Sequence, residues 1–397
     1  MVQVTSRALN KTIKFDRLIG NYTQNIPGPT LLFIGGIHGN EPAGVLALTQ
    51  VFEEIQNSSI PIKGEIYAFA GNLKALLKNK RFIEQDLNRI WKVERIKELE
   101  NENVDEKNES IEEKEQRELY DAIKFVFKLK NPVYVFDLHT TSSESRPFIT
   151  IADTLRNRNF AMKFPLPIIL GIEEQIVGTL LNYINELGLI AMGFESGQHD
   201  AESSIAIHRA SIWLSLIYSG CLNDKDLPNL SKHYATLKSH SENGNKVFEV
   251  RYRYEISEGE RFRMIEGFKN FQPIKRRQLL AETNIGSIRS HENGMVFLPL
   301  YQNLGNDGYF IVHEIKPFWL KISAALRKKN IQKFLPLLPG IKKHPFNGNS
   351  LIVNQKIARW FVIEFFHLLG YRRKHTEMNK LVVTKRKFDI VGPNSKF

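Results

Sequence analysis

Four short apolar runs, each flanked by residues at helical spacing, constrain the fold of this chain more than any other feature. Residues 31–37, 65–70, 133–138 and 189–194 are short, bounded and apolar, and read as buried strands. After the first run, Pro42 stands where a first-turn proline is tolerated, and Val45, Leu48, Phe52 and Ile55 follow at helical spacing. Leu119, Ile123 and Val126 predict a helix ahead of the third run. Ile176, Leu180, Ile184 and Leu187 predict one ahead of the fourth. Strand and helix in alternation predict an α/β fold, a sheet with helices on both faces.

Near residue 222 the pattern changes. Residues 223–245 are polar and turn-rich, a linker by composition. Beyond them Phe248, Val250, Tyr252, Tyr254 and Ile256 alternate with Glu249, Arg251, Arg253 and Glu255, the period of a strand with one wet face. Residues 295–300 and 309–315 are further strands. Three regions follow: a main α/β domain over 1–225, a small, mostly β domain over 240–330, and an extension over 331–397. The extension carries one helical stripe, Val353, Ile357, Trp360, Phe361, Phe365 and Leu368, with Gly370 as its stop.

Charge divides the same way. The chain carries a net +12, and residues 331–397 hold 13 Lys/Arg against three acids, so a basic extension follows a near-neutral body. Residues 92–118 run the other way, with six Lys/Arg against eleven acids. The first half of that stretch lacks apolar periodicity and reads as a solvated, mobile insertion. One cysteine, Cys221, excludes an internal disulfide and a thiolate cluster. No window approaches the roughly 18–20 apolar residues of a membrane span, and no signal peptide is evident, so a cytoplasmic setting is expected.

The chemistry concentrates at strand ends. Gly35-Gly36-Ile37-His38-Gly39-Asn40-Glu41 directly follows the first strand, and its histidine and carboxylate, three apart, can turn toward one ion. The flanking glycines allow a sharp bend. A catalytic zinc takes three protein ligands and leaves one position for water, and two His plus one Glu is an established set. The candidate third ligand is His139, in Asp137-Leu138-His139-Thr140-Thr141. His38, His139 and Glu195 all fall at or just beyond the carboxyl end of an expected strand, the edge where open α/β sheets bind ligands.

His38-Gly39-Asn40-Glu41, Asp86-Leu87-Asn88-Arg89, Asp137-Leu138-His139 and Gly193-Phe194-Glu195-Ser196-Gly197 occur in that order over roughly residues 28–200. In this set the chain resembles the succinylglutamate desuccinylase/aspartoacylase branch of the zinc carboxypeptidase superfamily. The resemblance implies a mixed twisted sheet, a smaller β-rich C-terminal domain, and one Zn(II) held by His38, Glu41 and His139. It implies that Glu195 is the catalytic carboxylate, taking the proton of a zinc-activated water and passing it to the departing amine. It further implies that Arg81 supports the oxyanion while Asn88 and Arg89 grip a substrate carboxylate, tasks that suit a permanently charged fork. The substrate expected is a small anionic N-acyl amino acid, and the β domain is expected to restrict entry to the metal. Asp86 is expected to orient Arg89 or its loop.

Two departures loosen the substrate assignment. An arginine found in aspartoacylase about ten residues before the catalytic glutamate falls here near Asn185, and the late strand 312–318 lacks the tyrosine. A zinc carboxypeptidase acting on small peptides uses the same machinery. A non-catalytic scaffold, or nucleic-acid binding by the basic runs 372–375 and 385–387, are readings of another class. His199 lies near enough to Glu195 to enter the site mouth, His208 reads as a helix residue, and Cys221 as inert. The oligomeric state stays open, a homodimer among the options.

Overall fold

The computed structural model describes residues 2–6, 11–101, 106–242, 244–302, 304–354, 356–357, 363–377 and 380–393. It opens with a hairpin of Val2–Ser6 (β1) and Lys11–Phe15 (β2). Leu18–Thr23 (β3), Thr30–Gly35 (β4), Glu65–Ala70 (β5), Val133–Thr141 (β6), Phe148–Ile151 (β7), Ile168–Leu170 (β8) and Ile190–Gln198 (β9) then enter one sheet. Between them run helices Ala43–Gln56 (α1), Leu73–Lys78 (α2), Val93–Glu100 (α3) and Ile111–Ile123 (α4). Leu155–Ala161 (α5), Ile172–Gln175 (α6) and Leu180–Glu186 (α7) come next, and Glu202–Ser219 (α8) and Leu230–His240 (α9) follow the last of these strands.

The strand β4 shows why the fold is layered. Its six residues are all buried. Leu31 and Phe33 join one core with residues of α1 and α8, while Leu32 and Ile34 join another with residues of α3, α4 and α7. Alternate side chains point to opposite faces, so a strand covered on both sides must be apolar throughout. At the heart of the sheet β5, β4, β6 and β9 lie side by side and parallel.

The later strands are Val247–Glu255 (β10), Arg263–Met264 (β11), Gln272–Ile274 (β12), Leu279–Thr283 (β13), Gly286–Arg289 (β14), Gly294–Phe297 (β15) and Asp307–Ile315 (β16). Parallel pairing of β10 with β8 carries the sheet onward through β16, β15 and β12 to eleven strands, while β11, β13 and β14 form a separate small sheet. The fold is therefore mixed α/β, a large mixed sheet with helices on both faces and smaller β sheets toward the C-terminus. Pro317–Lys328 (α10), Ile341–Lys343 (β17), Ser350–Asn354 (β18), Ile363–Leu368 (α11), Tyr371–Glu377 (β19) and Lys380–Lys385 (β20) complete it, with β17, β18, β20 and β19 in a four-stranded sheet.

Several expectations need correction. The stretch read as a solvated insertion contains α3, whose Ile96 and Leu99 are buried. Three apolar residues on a helix of eight, one of them exposed Val93, are too few to register as a stripe. The expected linker contains α9, anchored by buried Leu237. Ile176 lies outside α7, since Gly178 at φ +79° breaks the chain before it. In the extension, Val353 belongs to β18 and Ile357 to an exposed turn, while Trp360 and Phe361 lie outside the described residues. Only Phe365 and Leu368 are helical, ahead of Gly370 at φ +82°.

The basic tail is built into the body. Arg327 is fully buried, donating to Asp153 Oδ2 at 2.8 Å and Asp389 Oδ1 at 3.3 Å. Arg386, also buried, donates to Glu174 at 2.6 Å and Glu173 at 2.8 Å on α6. Arg158 pairs with Asp153 as well. His367 lies between Glu174, at 3.1 Å, and Glu249, which explains why that glutamate on the expected wet face of β10 is buried.

Candidate metal centre

The parallel strands β4, β6 and β9 deliver their carboxyl ends to one edge, and His139 sits directly beside Glu195 in the register. The loop after β4 brings His38 and Glu41 to the same place. Gly36 takes φ +71°, a bend of the kind expected for this motif. Gly39 has a different reason: a Cβ there would lie 2.0 Å from the carbonyl carbon of Ala75, so only glycine lets the loop pack on α2.

His38, Glu41 and His139 are all buried, and their ligand atoms lie within 4.8 Å of one another, a group that can hold a metal ion. Glu41 is the hub. His38 Nδ1 lies 2.8 Å from its Oε1 and His139 Nδ1 lies 3.0 Å from its Oε2. Burial opposes charge on Glu41, but the two histidines overcome it and hold the carboxylate well below its usual range. The far nitrogen of each ring faces another carboxylate: His38 Nε2 is 3.2 Å from Asp86 and His139 Nε2 is 2.8 Å from Asp137. Ligating imidazoles commonly have such a partner, which fixes ring orientation and strengthens the donor. His208, fully buried in α8, donates to the His139 carbonyl at 3.0 Å and pins the strand from behind.

Glu195 is half-buried on the cavity wall, and its Oε2 makes no hydrogen bond. Burial pushes it up to about 8, with Glu41 and Asp137 adding to the effect and His139 and Arg81 opposing it. Arg81 donates from Nη2 and Nε to Asp86 at 2.9 and 3.2 Å, and its Nη1 lies 3.8 Å from Glu41. Asp86 thus orients Arg81 and His38 more closely than Arg89, which is 4.0 Å away. Asn88 receives the backbone N–H of Leu180 at 2.9 Å. Arg89 donates to Asp307 on β16 at 2.6 Å and to the Asn88 carbonyl at 2.8 Å.

All seven sequence-derived residues, His38, Glu41, Arg81, Asn88, Arg89, His139 and Glu195, line one cavity of about 170 Å³. His199 lines it too, its Nδ1 2.7 Å from the Thr140 hydroxyl. Leu298, Pro299, Leu300 and Gln302, from the loop between β15 and β16, form its roof. Sequence reasoning missed the parts played by Asp137 and Asp307, while His208, read as a helix residue, does lie in α8. Asp137 was visible in principle, because residues two apart on a strand share a face, as it does with His139. Nothing local marks Asp307.

Residues 27–210 match the model of the succinylglutamate desuccinylase/aspartoacylase catalytic domain. Succinylglutamate desuccinylase of Pseudomonas putida (strain KT2440) is 39% identical over 64 residues, 16% of this chain and 19% of that protein, so this match spans about a fifth of the relative's length. Among solved structures, a succinylglutamate desuccinylase/aspartoacylase from Rhodobacter sphaeroides aligns with TM-score 0.55 at 15% identity, covering 73% of this chain and 87% of its own. The product-bound ectoine utilization protein EutE (DoeB) from Ruegeria pomeroyi aligns with TM-score 0.52 at 18% identity, over 73% and 86%. These likenesses establish the shared fold. Residues 27–210 are thus similar to the catalytic domain of the succinylglutamate desuccinylase/aspartoacylase family, and the chain shares its fold with solved structures of that kind.

Proposed function

We propose that this protein is a zinc-dependent hydrolase that cleaves the amide bond of a small N-acyl amino acid, releasing a carboxylic acid and a free amine. The observation that carries the reading is the convergence of His38, Glu41 and His139 beside a half-buried Glu195 with an unbonded oxygen. The donor set fits zinc: three buried protein ligands from one edge, with carboxylates behind both imidazoles. Bound there, zinc would supply the Lewis acidity that makes water nucleophilic near neutral pH.

The chain's own residues divide the remaining work. Glu195, with one carboxylate oxygen free of hydrogen bonds, takes a proton from the attacking water and returns it to the departing amine. Arg81, held by Asp86, keeps a fixed positive charge beside the reacting carbonyl, where negative charge develops. Asn88 and Arg89 hold the substrate carboxylate. On this reading residues 1–225 form the hydrolase domain, 240–330 supply the roof over the cavity, 331–397 form the basic extension, and the setting is cytoplasmic. The names of the relatives favour a deacylase, and the roof over residues 298–302 favours small substrates over polypeptides.

Carboxypeptidase action on small peptides is the second reading, since the same residues serve it. A panel of N-acyl amino acids and C-terminally free peptides, assayed with zinc and with chelator, separates the two. The expected result is zinc-restored hydrolysis of acyl amino acids. Turnover of peptides alone overturns the deacylase assignment, and chelator-resistant turnover overturns the metal.

A further inference from the structure

The cavity's charges are arranged to admit only one carboxylate. Two guanidiniums, Arg81 and Arg89, share its lining with four carboxylates, Glu41, Glu173, Glu195 and Asp307. A divalent ion at His38, Glu41 and His139 brings that lining to balance and leaves no large positive excess.

Both guanidiniums are already engaged. Asp86 takes two nitrogens of Arg81. Asp307 takes Nη2 of Arg89, and the Asn88 carbonyl takes Nη1. Asp307 is itself fixed from the other side by Arg253, which donates to its Oδ1 at 2.5 Å, so it is braced against Arg89 rather than free to swing away. Away from the metal group the lining is largely uncharged, with Ile151, Ile172, Leu181 and Phe310 beside Ser143, Thr150, Asn182 and Asn185. Its charged group there, Glu173, is an anion already engaged by Arg386. A second carboxylate on the substrate would lose its water for uncharged hydroxyls and amides and for carboxylates, with no further cation among the described lining residues to receive it.

We infer that Asp307 sets the charge class of the substrate: the site takes an N-acyl amino acid with one carboxylate and an otherwise uncharged, apolar body, and disfavours dicarboxylic substrates. The inference rests on the deacylase reading and narrows it. Arg89 supplies one anion-binding position, and Asp307 cancels the surplus charge that a second would need.

The test compares kcat/KM for N-acetyl-leucine and N-acetyl-methionine with N-acetylaspartate and N-succinylglutamate. It uses the zinc-loaded full chain and its Asp307→Asn variant. Calorimetric binding of leucine and aspartate, the corresponding amine products, gives a readout independent of turnover. The wild type is expected to favour the monocarboxylates by about tenfold or more, and Asp307→Asn to shrink that ratio by a similar factor, chiefly by improving the dicarboxylates. Leucine is expected to bind more tightly than aspartate. A wild type that prefers a dicarboxylate, or binds aspartate more tightly, overturns the inference while leaving the deacylase standing. Hydrolysis of none of the four overturns the deacylase reading instead, and the calorimetry still decides the charge preference. Should Asp307→Asn fail to fold, the wild-type ratios decide alone.

Discussion

The molecule holds two buried charge clusters, and they are built on opposite rules. Around Asp153, Arg158, Arg327 and Arg386, every guanidinium meets a carboxylate, and burial's penalty on Asp153 is overcome by three arginines that hold it well below its ordinary range. Around Glu41, two imidazoles and a carboxylate converge on one point, and Glu195 nearby keeps an unbonded oxygen and is pushed up to about 8. In one cluster every guanidinium has a carboxylate partner within the fold. The other is a group that can hold a metal ion. Buried charges alone do not mark a site; what marks it is the direction in which they remain unsatisfied.

That contrast can be broken most sharply at the metal. Glu41→Gln or His139→Ala is expected to abolish metal retention and lower kcat/KM by about a thousandfold or more, whereas Glu195→Gln retains the ion and loses about 10²–10⁴-fold. Metal analysis beside rate measurements checks both, and a fully active Glu195→Gln enzyme removes the proton shuttle from the scheme.

The cluster around Asp153 should respond in stability. Arg327→Met takes one of three arginines from Asp153 and the guanidinium partner from buried Asp389, and is expected to destabilise the fold by about 3–5 kcal/mol in urea unfolding. A change below about 1 kcal/mol would mean that the tail is held by its apolar core alone.

A smaller effect is expected from pH. Burial works against charge on His367, but Glu174 and Glu249 outweigh it and raise the group to about 9. Because the folded value lies above the unfolded one, its contribution is complete below about pH 6.5 and fades as pH climbs through about 9. His367→Gln should remove that slope, a difference of up to about 3 kcal/mol at neutral pH, read from unfolding curves between pH 6 and 10. The least effect belongs to Arg372→Ala, which breaks a half-exposed pair with Glu186 and should change stability by less than about 1 kcal/mol.

The convergence of His38, Glu41, His139 and Glu195 on one edge was legible in the sequence because each sits against a strand whose apolar run is unmistakable, and because parallel strands align their ends. Arg89 was legible as a cavity residue, but not its partner, since Asp307 lies 218 positions away and no local pattern links them. The tail misled for a related reason. Counted along the chain, Arg386 looks like surplus charge, yet it is spent on Glu173 and Glu174 of the α/β body. A sum over a segment cannot see pairings that cross it.

The short helix Ile172–Gln175 serves two masters. Ile172 and Glu173 face the cavity, and Glu173 and Glu174 anchor Arg386 of the last strand's exit. A partition shared in this way ties the shape of the substrate chamber to residues more than two hundred positions downstream. Trimming the C-terminal sixth of the chain would therefore loosen a wall of the cavity without removing any of the residues that line it.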